Sequence, residues 1–389
     1  MVGERRAARA CGGGGGVMAP CDGIIVGLHL RWNGVYQRPQ HVLSRLAREH
    51  PVVVLEEPLF ASGPSRFDVE EPVANVTVIR PVVDADGPFL ASKIAPGALA
   101  VVARHAAARG IESPALWLYT PMMTALADAF PESPVIYDCM DDLASFAFAP
   151  LEMRERERKL LERADVVFCG GPSLYHARAE HGLKVHCVPS GVEFRRLAAA
   201  RTAAPVEPLE LLEGHIFGYV GVIDERIDYA IVRRLACVPG AHVVMVGPVA
   251  KIDPRALPQA ANIHYAGQVE YGELARWMAG FDVAMMPFAN NASTRSISPT
   301  KLLEYFAAGR PVVTTPIRDV VERYGGLVTQ ARTPEEFVRA CVEARPDPRR
   351  GEAASAVARL QSWDAIVGTM ERAILDATAP AIVAERAGA

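Results

Sequence analysis

The sequence predicts an α/β protein built from two parallel-sheet domains in tandem, with helices at the C-terminus. Short, fully apolar runs alternate with longer stretches of helical period, as expected for strands that are buried on both faces of a sheet. Strands that alternate with helices indicate βαβ units. The alternation stops at Arg195–Glu213, which is rich in Ala, Arg and Pro and is typical of a linker, and then starts again.

Length and charge agree with this organisation. The chain has 389 residues, which suits two domains of about 100–200 residues each. Half of the residues are hydrophobic, so a disordered chain is excluded. Lys plus Arg is 41 and Asp plus Glu is 45, so the net charge of −4 excludes a protein built mainly to coat nucleic acid. A local basic pocket for one small anion is compatible with that balance.

The first domain is expected over residues 21–198. Residues 1–20 are expected to be a flexible leader, because they hold arginines and a glycine run but no apolar segment. The predicted strands are Gly23–Leu28, Val52–Leu55, Val76–Arg80, Ala115–Tyr119, Val135–Asp138 and Val166–Cys169. The predicted helices are Tyr36–Glu49, Pro96–Arg109, Met122–Phe130, Leu151–Arg163 and Ser173–His181.

The second domain is expected over residues 205–361, and a last helical segment over residues 362–389. The predicted strands are His215–Val220, His242–Val246, Asn262–Tyr265, Val283–Pro287 and Val312–Thr314. The predicted helices are Tyr229–Ala236, Tyr271–Met278 and Pro299–Ala308, with helical period throughout Thr333–Ala377. Ligands bind at the carboxyl ends of strands in such sheets, so two facing domains predict a cleft between them.

Cysteine usage and hydropathy bear on the compartment. The seven cysteines are scattered without a C-x-x-C pair, which argues against a disulfide framework and a zinc site and favours a reducing cytoplasm. The longest uncharged stretch, Leu235–Ala250, contains two prolines and two glycines. A membrane-spanning helix is therefore not expected.

The most informative segment is Arg295–Val313, RSISPTKLLEYFAAGRPVV. Ser298 and Pro299 suit the N-cap and the first position of a helix that ends at Gly309. The free amides of its first turn and Lys301 would form an anion site, and Glu304 lies one turn further on the same side. A carboxylate there suits a pair of ribose hydroxyls. The alternative is an ordinary capped helix with a Lys/Glu pair.

This segment resembles the donor-binding signature of the GT-B glycosyltransferases, in particular the large retaining family 4 (group 1-like) of bacterial polysaccharide and lipid enzymes. The matching residues are Pro299, Lys301, Glu304, Tyr305, Ala307, Gly309 and Pro311–Val313. The resemblance implies that Glu304 holds the nucleotide ribose, and that amides near Ser298, Thr300 and Lys301 meet the diphosphate. Many members carry a second Glu for the donor sugar where this chain has Ser296.

Further stretches resemble the same family in the same order. Gly218–Asp228 resembles the first strand-to-helix turn of the donor domain. There the resemblance implies that Gly221 lets the backbone approach a phosphate, that Arg226 neutralises the leaving diphosphate, and that Asp228 lies among the binding residues. Gly267–Pro287 resembles the nucleobase region, and Ser362–Trp363 resembles the start of a final helix that crosses back to the first domain.

Two first-domain segments supply candidate residues. Arg31–His41 crowds hydrogen-bond donors at a helix start, and it resembles a loop that borders the acceptor and the diphosphate in a subset of the family. Its candidates are Gly34, Gln37, Arg38 and His41. The alternative is a polar helix cap with a single buried histidine.

The second segment is Tyr137–Asp142, in which three acids follow an apolar run. Nearby carboxylates raise each other's pKa, and such clusters are enriched at functional sites. Many family members have a histidine here, and Asp141 is the nearest stand-in. It would accept a proton from an acceptor hydroxyl or hold a donor hydroxyl, with Asp138 as a binding residue. A metal pair and simple loop caps are the alternatives.

The resemblance implies a GT-B enzyme that moves a sugar from a UDP- or GDP-sugar to a saccharide, lipid-linked or small-molecule acceptor, with retention and without a bound metal. It also implies peripheral contact with the inner face of the cell membrane, where many relatives use lipid-linked acceptors. Asp141, Arg226 and Lys301 would carry the chemistry. A sugar-nucleotide epimerase and a non-catalytic nucleotide-sugar-binding protein stay open as alternatives.

Overall fold

The computed structural model describes residues 21–84, 94–146 and 149–378. The predicted leader, residues 1–20, and the last part of the predicted C-terminal segment, residues 379–389, lie outside these ranges. The described chain forms two β-sheets of nine and six strands with helices around them. The predicted fold class, two parallel α/β sheets followed by helices, is confirmed.

The first sheet has the strand order β3-β5-β2-β1-β6-β7-β8-β9, with β4 paired to β5. Its strands are β1 Gly23–Leu28, β2 Val52–Glu56, β3 Leu59–Ala61, β4 Arg66–Val73, β5 Val76–Asp84, β6 Pro114–Leu118, β7 Val135–Cys139, β8 Val166–Cys169 and β9 Val185–Cys187. The central strands β1, β2, β6, β7 and β8 are buried at every position, as their apolar runs predict, and the buried positions include Glu56 of β2 and Asp138 of β7.

The second sheet is parallel throughout and has the order β12-β11-β10-β13-β14-β15. Its strands are β10 His215–Val220, β11 Ala241–Val246, β12 Ile263–Gly267, β13 Val283–Met286, β14 Val312–Thr314 and β15 Thr329–Gln330.

Helices cover both sheets. They are α1 Arg38–Leu46, α2 Ala98–Ala108, α3 Ala125–Ala129, α4 Met153–Arg163, α5 Pro172–Arg178, α6 Phe194–Ala198, α7 Glu207–Glu210, α8 Tyr229–Leu235, α9 Leu274–Ala279, α10 Lys301–Ala308, α11 Arg318–Tyr324, α12 Pro334–Glu343, α13 Pro348–Leu360 and α14 Trp363–Thr378. None of the described helices is long and apolar enough to cross a membrane.

The hairpin at the edge of the first sheet was not predicted. β4 pairs antiparallel with β5, and β5 runs to Asp84 instead of ending at Arg80. β4 has no fully buried position, so it lacks the apolar run by which the other strands are recognised. Asn75 turns the chain between the two strands in the left-handed region, with φ of 63°.

The predicted linker is itself folded onto the second domain. It contains α6, α7 and a short 3₁₀ turn at Ala199–Arg201. Leu197 and Leu209 are buried in the core of the second sheet. The guanidinium of Arg201 donates to the carbonyls of Phe306 and Ala307, 3.1 and 2.9 Å away. The linker segment is therefore folded, because its apolar positions give it a surface to pack.

The helix of the Arg295–Val313 segment begins two residues later than predicted. Thr300 occupies the N-cap position of α10, and Ser298 and Pro299 are not helical. Ser298 packs against Gly171 of the first domain, where an added Cβ would lie 2.5 Å from the Ser298 Cβ. Ser298 is therefore a residue of the interface between the two domains. The prediction that it is the N-cap of the helix is wrong.

The last helix, α14, packs on the first sheet. Its buried residues Trp363, Val367, Met370 and Ile374 share one core with Ile24 and other residues of the first sheet. A second link joins the domains near α11: the Ser173 hydroxyl donates to Asp319 at 2.5 Å, and both side chains are buried. These contacts hold the two sheets with their carboxyl ends toward one cleft.

Candidate functional site

A cavity of about 430 Å³ lies between the two sheets. The first domain supplies the loop after β1, including Trp32, Gly34 and Tyr36. The second domain supplies residues that follow the carboxyl ends of its strands or begin α10: Gly221, Gly247, Gln268, Tyr271, Lys301 and Glu304. Loops at the carboxyl ends of parallel strands are the usual ligand site of such sheets.

Two glycines bring the backbone to the cavity wall. Gly221 and Gly247 have φ of 148° and 144°, in the region that favours glycine. A Cβ on Gly247 would lie 1.9 Å from the Gly221 carbonyl oxygen, and one on Gly221 would lie 3.0 Å from Lys301 Cε. The loops after β10 and β11 therefore pack backbone against backbone, which leaves room for a ligand to approach beside Lys301.

Glu304 presents an unsatisfied acceptor. Its side chain is 7% exposed, and Oε2 is buried without a hydrogen-bond partner among the described residues. Burial raises the pKa of this carboxyl, and Lys301, one turn earlier on α10, opposes the shift. A buried acceptor without a partner is costly, so this oxygen is suited to hydroxyl groups of a ligand.

Tyr271 completes the aromatic side of the cavity. Its hydroxyl is also buried without a partner in the described part of the chain. The ring stacks on Tyr36 of the first domain, with centroids 5.1 Å apart and an interplanar angle of 30°. Nearby, Gln268 Nε2 donates to the Gly34 carbonyl at 3.3 Å. Both domains therefore meet at this end of the cavity.

Cationic groups of the second domain face Asp141 of the first. Burial raises the pKa of Asp141, and the charges of Arg226, Lys251 and Lys301 oppose the shift. The Asp141 carboxylate forms no hydrogen bond or ion pair with the residues the structure describes. A carboxylate surrounded by cations but bonded to none of them is free to act on a ligand.

Arg226 itself is held by Asp224. Its Nε and Nη2 donate to the Asp224 carboxylate at 3.0 and 2.7 Å, and Asp224 is fully buried. Neither Arg226 nor Asp141 lines the cavity. The pair fixes the direction of the guanidinium and offsets part of its charge.

Arg38 and Asp138 meet in the interior. Arg38 Nε donates to both oxygens of Asp138 at 2.9 and 3.1 Å, and Nη1 donates to the Val188 carbonyl at 2.9 Å. The two side chains are 1% and 0% exposed. The structure joins these two candidates to each other and places neither on the cavity wall.

His41 lies beneath the cavity rather than on its wall. It is 2% exposed and stacks on Trp363 of α14, with centroids 4.6 Å apart. Burial, together with the charges of Arg45, Lys301 and Arg196, lowers the pKa of His41 to about 2. It is therefore a neutral packing residue between α1 and α14.

The remaining predicted site residues divide between the cavity and helix caps. Gly34 lines the cavity. Gln37 and Asp228 cap helices: the Gln37 amide donates to Gln40 Oε1 at 3.1 Å, and the Asp228 carboxylate accepts from the Ala230 amide at 2.9 Å. Thr300 occupies the N-cap position of α10 next to Lys301, without a capping hydrogen bond from its side chain.

Sequence reasoning missed Tyr271, which lines the cavity, and Lys251, whose charge acts on Asp141. Both follow a strand of the second sheet within a few residues, and that position was the available signal. Their partners, Tyr36 and Phe146, lie in the other domain and far away in the sequence. The described ranges contain no group of three or more His, Cys, Asp or Glu side chains arranged to hold a metal ion.

The second sheet carries the clearest sequence relationship. Residues 215–346 match the family model described as glycosyl transferases, group 1. A relative in Bacillus subtilis (strain 168), named as a teichuronic acid biosynthesis glycosyltransferase, TuaH, is 27% identical over 275 residues. That alignment covers 64% of this chain and 69% of the relative.

Solved structures share the architecture over nearly the whole chain. Sucrose-phosphate synthase from Thermosynechococcus elongatus superposes with a TM-score of 0.67 at 15% identity, covering 90% of this chain and 98% of that one. The trehalose-6-phosphate protein from E. coli bound with UDP-2-fluoro glucose gives 0.64 at 10% identity, with the same coverage. HepE from Anabaena in complex with UDP and glucose gives 0.61 at 14% identity, again covering 90% and 98%.

These similarities agree with the motifs of the sequence and with two parallel sheets that face one cleft. The group 1 match falls on the sheet that supplies Gly221, Lys301 and Glu304. The protein is a glycosyltransferase of the GT-B fold.

Proposed function

We propose that the enzyme transfers a sugar from a UDP- or GDP-sugar to a hydroxyl of a saccharide acceptor in polysaccharide assembly. The observation that carries the donor class is the unsatisfied Glu304 Oε2, one turn from Lys301 in a cavity between the domains. Two of the structurally similar proteins were solved with UDP or a UDP-sugar derivative, and the Bacillus relative is named for teichuronic acid synthesis. These names support the choice of substrates.

On this proposal the second domain, residues 205–361, binds the donor. Glu304 accepts hydrogen bonds from the two ribose hydroxyls, which satisfies its buried oxygen. The backbone at Gly221, Thr300 and the Lys301 ammonium receive the diphosphate. The aromatic end of the cavity, at Tyr36 and Tyr271, is left for the nucleobase.

The first domain, residues 21–198, then holds the acceptor beside Asp141. The bond between the anomeric carbon and the diphosphate oxygen breaks, and a new bond forms to the acceptor oxygen, which loses its proton. Asp141 accepts that proton or holds a hydroxyl in place. Arg226 and Lys301 stabilise the charge that develops on the departing diphosphate, and no bound metal is invoked. Retention of the anomeric configuration is proposed from the family resemblance.

We also propose that the enzyme works in the cytoplasm, at the inner face of the membrane when its acceptor is lipid-linked. The scattered cysteine pattern supports a reducing compartment.

The direct test is an assay of the purified protein with a panel of UDP- and GDP-sugars, with and without saccharide acceptors. Transfer predicts acceptor-dependent release of the nucleoside diphosphate and a new glycoside, whose anomeric signals by NMR report retention. Formation of an epimer without acceptor would make the enzyme an isomerase. Donor binding without turnover across the panel would make it a binding protein.

Glu304 gives the sharpest single-residue test. Glu304→Gln removes the charge at almost constant volume, so we expect the affinity for the nucleoside diphosphate to fall about tenfold or more, measured by calorimetry. Glu352→Gln is the matched control, because Glu352 is exposed on α13 away from the cavity. Unchanged affinity in the Glu304 variant contradicts the ribose assignment.

A further inference from the structure

Lys251 is a second-domain cation that reaches a first-domain ring and forms no ion pair with the described residues. It follows β11 by five residues and has φ of 59°, in the left-handed region that a lysine seldom occupies. Its ammonium lies 3.8 Å from the ring centroid of Phe146, a first-domain residue. In the described part of the chain no carboxylate oxygen lies within 4.0 Å of it.

The surroundings place Lys251 with the cations that face Asp141. Its charge acts on Asp141 of the first domain, and it shares the Phe146 ring with Arg226, whose Cζ is 5.6 Å from the centroid. It also acts on His29, a half-buried residue directly after β1, whose pKa burial and Lys251 lower to about 4. Groups from the ends of β1, β7, β10 and β11 thus converge on one point of the cleft.

Apart from Lys251, the cations near Asp141 offer a departing diphosphate little unpaired positive charge. Arg226 is already paired with the buried Asp224, so part of its positive charge is offset. Lys301, at the start of α10, forms no ion pair with the described residues. A departing nucleoside diphosphate gains negative charge as its bond to the sugar breaks, so one free lysine beside a half-neutralised arginine is a weak counter-charge.

We propose that Lys251 is a further binding residue for the diphosphate, which it meets from beside Phe146 and Arg226. This role rests on the proposed donor class and adds a residue to it. The ammonium supplies the second unpaired positive charge, and the aromatic face of Phe146 holds it in position without neutralising it.

The experiment measures by calorimetry the affinity of the full chain for UDP, GDP and the matching nucleosides. The proteins compared are the wild type, Lys251→Met, Lys251→Arg and Lys159→Met. Lys159 is an exposed lysine on α4 that pairs with Glu155 at 3.5 Å, and it serves as the control. We expect Lys251→Met to weaken the preferred nucleoside diphosphate about tenfold, with the nucleoside affinity unchanged. Lys251→Arg should retain most of the affinity. In Lys251→Met the affinity for the nucleoside diphosphate should depend less steeply on salt concentration than in the wild type.

The outcomes separate this inference from the proposed function. If the wild type binds neither UDP nor GDP more tightly than the nucleosides, the donor assignment itself fails. If the wild type binds one of them and Lys251→Met binds it equally well, the role of Lys251 is refuted and the donor assignment stands. Equal losses for nucleoside and nucleoside diphosphate also refute the role, because they indicate a disturbed fold.

Discussion

Two carboxylates at the cleft have different surroundings and therefore different expected roles. Glu304 is nearly buried and has one oxygen without a partner, so it is suited to hold uncharged hydroxyls. Asp141 is half-buried, and its carboxylate faces three cations without a hydrogen bond or ion pair to any described residue. In the second setting the neighbouring cations oppose the rise in pKa that burial causes, and the carboxylate is available to accept a proton.

Asp141→Asn tests this division. We expect kcat to fall by about two to three orders of magnitude with little change in nucleoside diphosphate affinity, since the amide cannot accept the proton. Asp142→Asn is the neighbouring control, because the Asp142 carboxylate accepts from the Ser145 hydroxyl at 2.6 Å and lies 3.9 Å from Arg178 Nη2, both within the first domain. Steady-state kinetics with the best donor and acceptor measure both. An Asp141 variant with wild-type kcat would remove this residue from the reaction.

Among the elements, α10 and the two glycine loops build the donor side. The shared face of Lys301 and Glu304 on α10 could be predicted from the sequence, because residues three positions apart are neighbours on a helix surface. The exact start could not, since the contact of Ser298 with Gly171 depends on the other domain. The loops after β10 and β11 likewise depend on each other, because Gly247 approaches the Gly221 carbonyl.

Gly247→Ala tests the packing of these loops. The new Cβ would lie 1.9 Å from a backbone oxygen, at a φ that alanine disfavours, so we expect a loss of more than about 3 kcal/mol in the free energy of unfolding. Gly351→Ala is the control, because this glycine lies within α13 with no atom near the added Cβ. It should be neutral or gain up to about 1 kcal/mol. Urea denaturation measures both, and equal stability of the two variants contradicts the close packing.

At the scale of the whole molecule, buried neutral histidines couple stability to pH. Burial lowers the pKa of His41 to about 2 and of His29 to about 4, both from 6.5. Below pH 6.5 the unfolded chain takes up protons that the folded chain refuses, so stability falls as the pH falls. Each histidine contributes about 1.4 kcal/mol per pH unit until its folded pKa is reached.

His41→Phe should remove one of these contributions while keeping the stack on Trp363. We expect the loss of unfolding free energy between pH 6.5 and pH 4.5, the interval chosen for the measurement, to shrink by roughly 2 kcal/mol. His176→Gln is the control, since His176 is exposed on α5 and its replacement should leave the loss unchanged. The same acid loss in wild type and His41→Phe would show that His41 is not a buried neutral group.

The sequence by itself determined the two α/β units, the final helices and the donor segment around Lys301 and Glu304. Apolar runs and helical period are local properties, and the group 1 motif lies within one strand–helix–strand unit. Only the tertiary structure decided that Arg38, Asp138 and His41 are buried in contacts with distant residues. It alone also revealed Lys251 beside Phe146 and Tyr271 against Tyr36. Each of those contacts joins residues a hundred or more positions apart, and no local pattern encodes which loop of one domain faces which loop of the other.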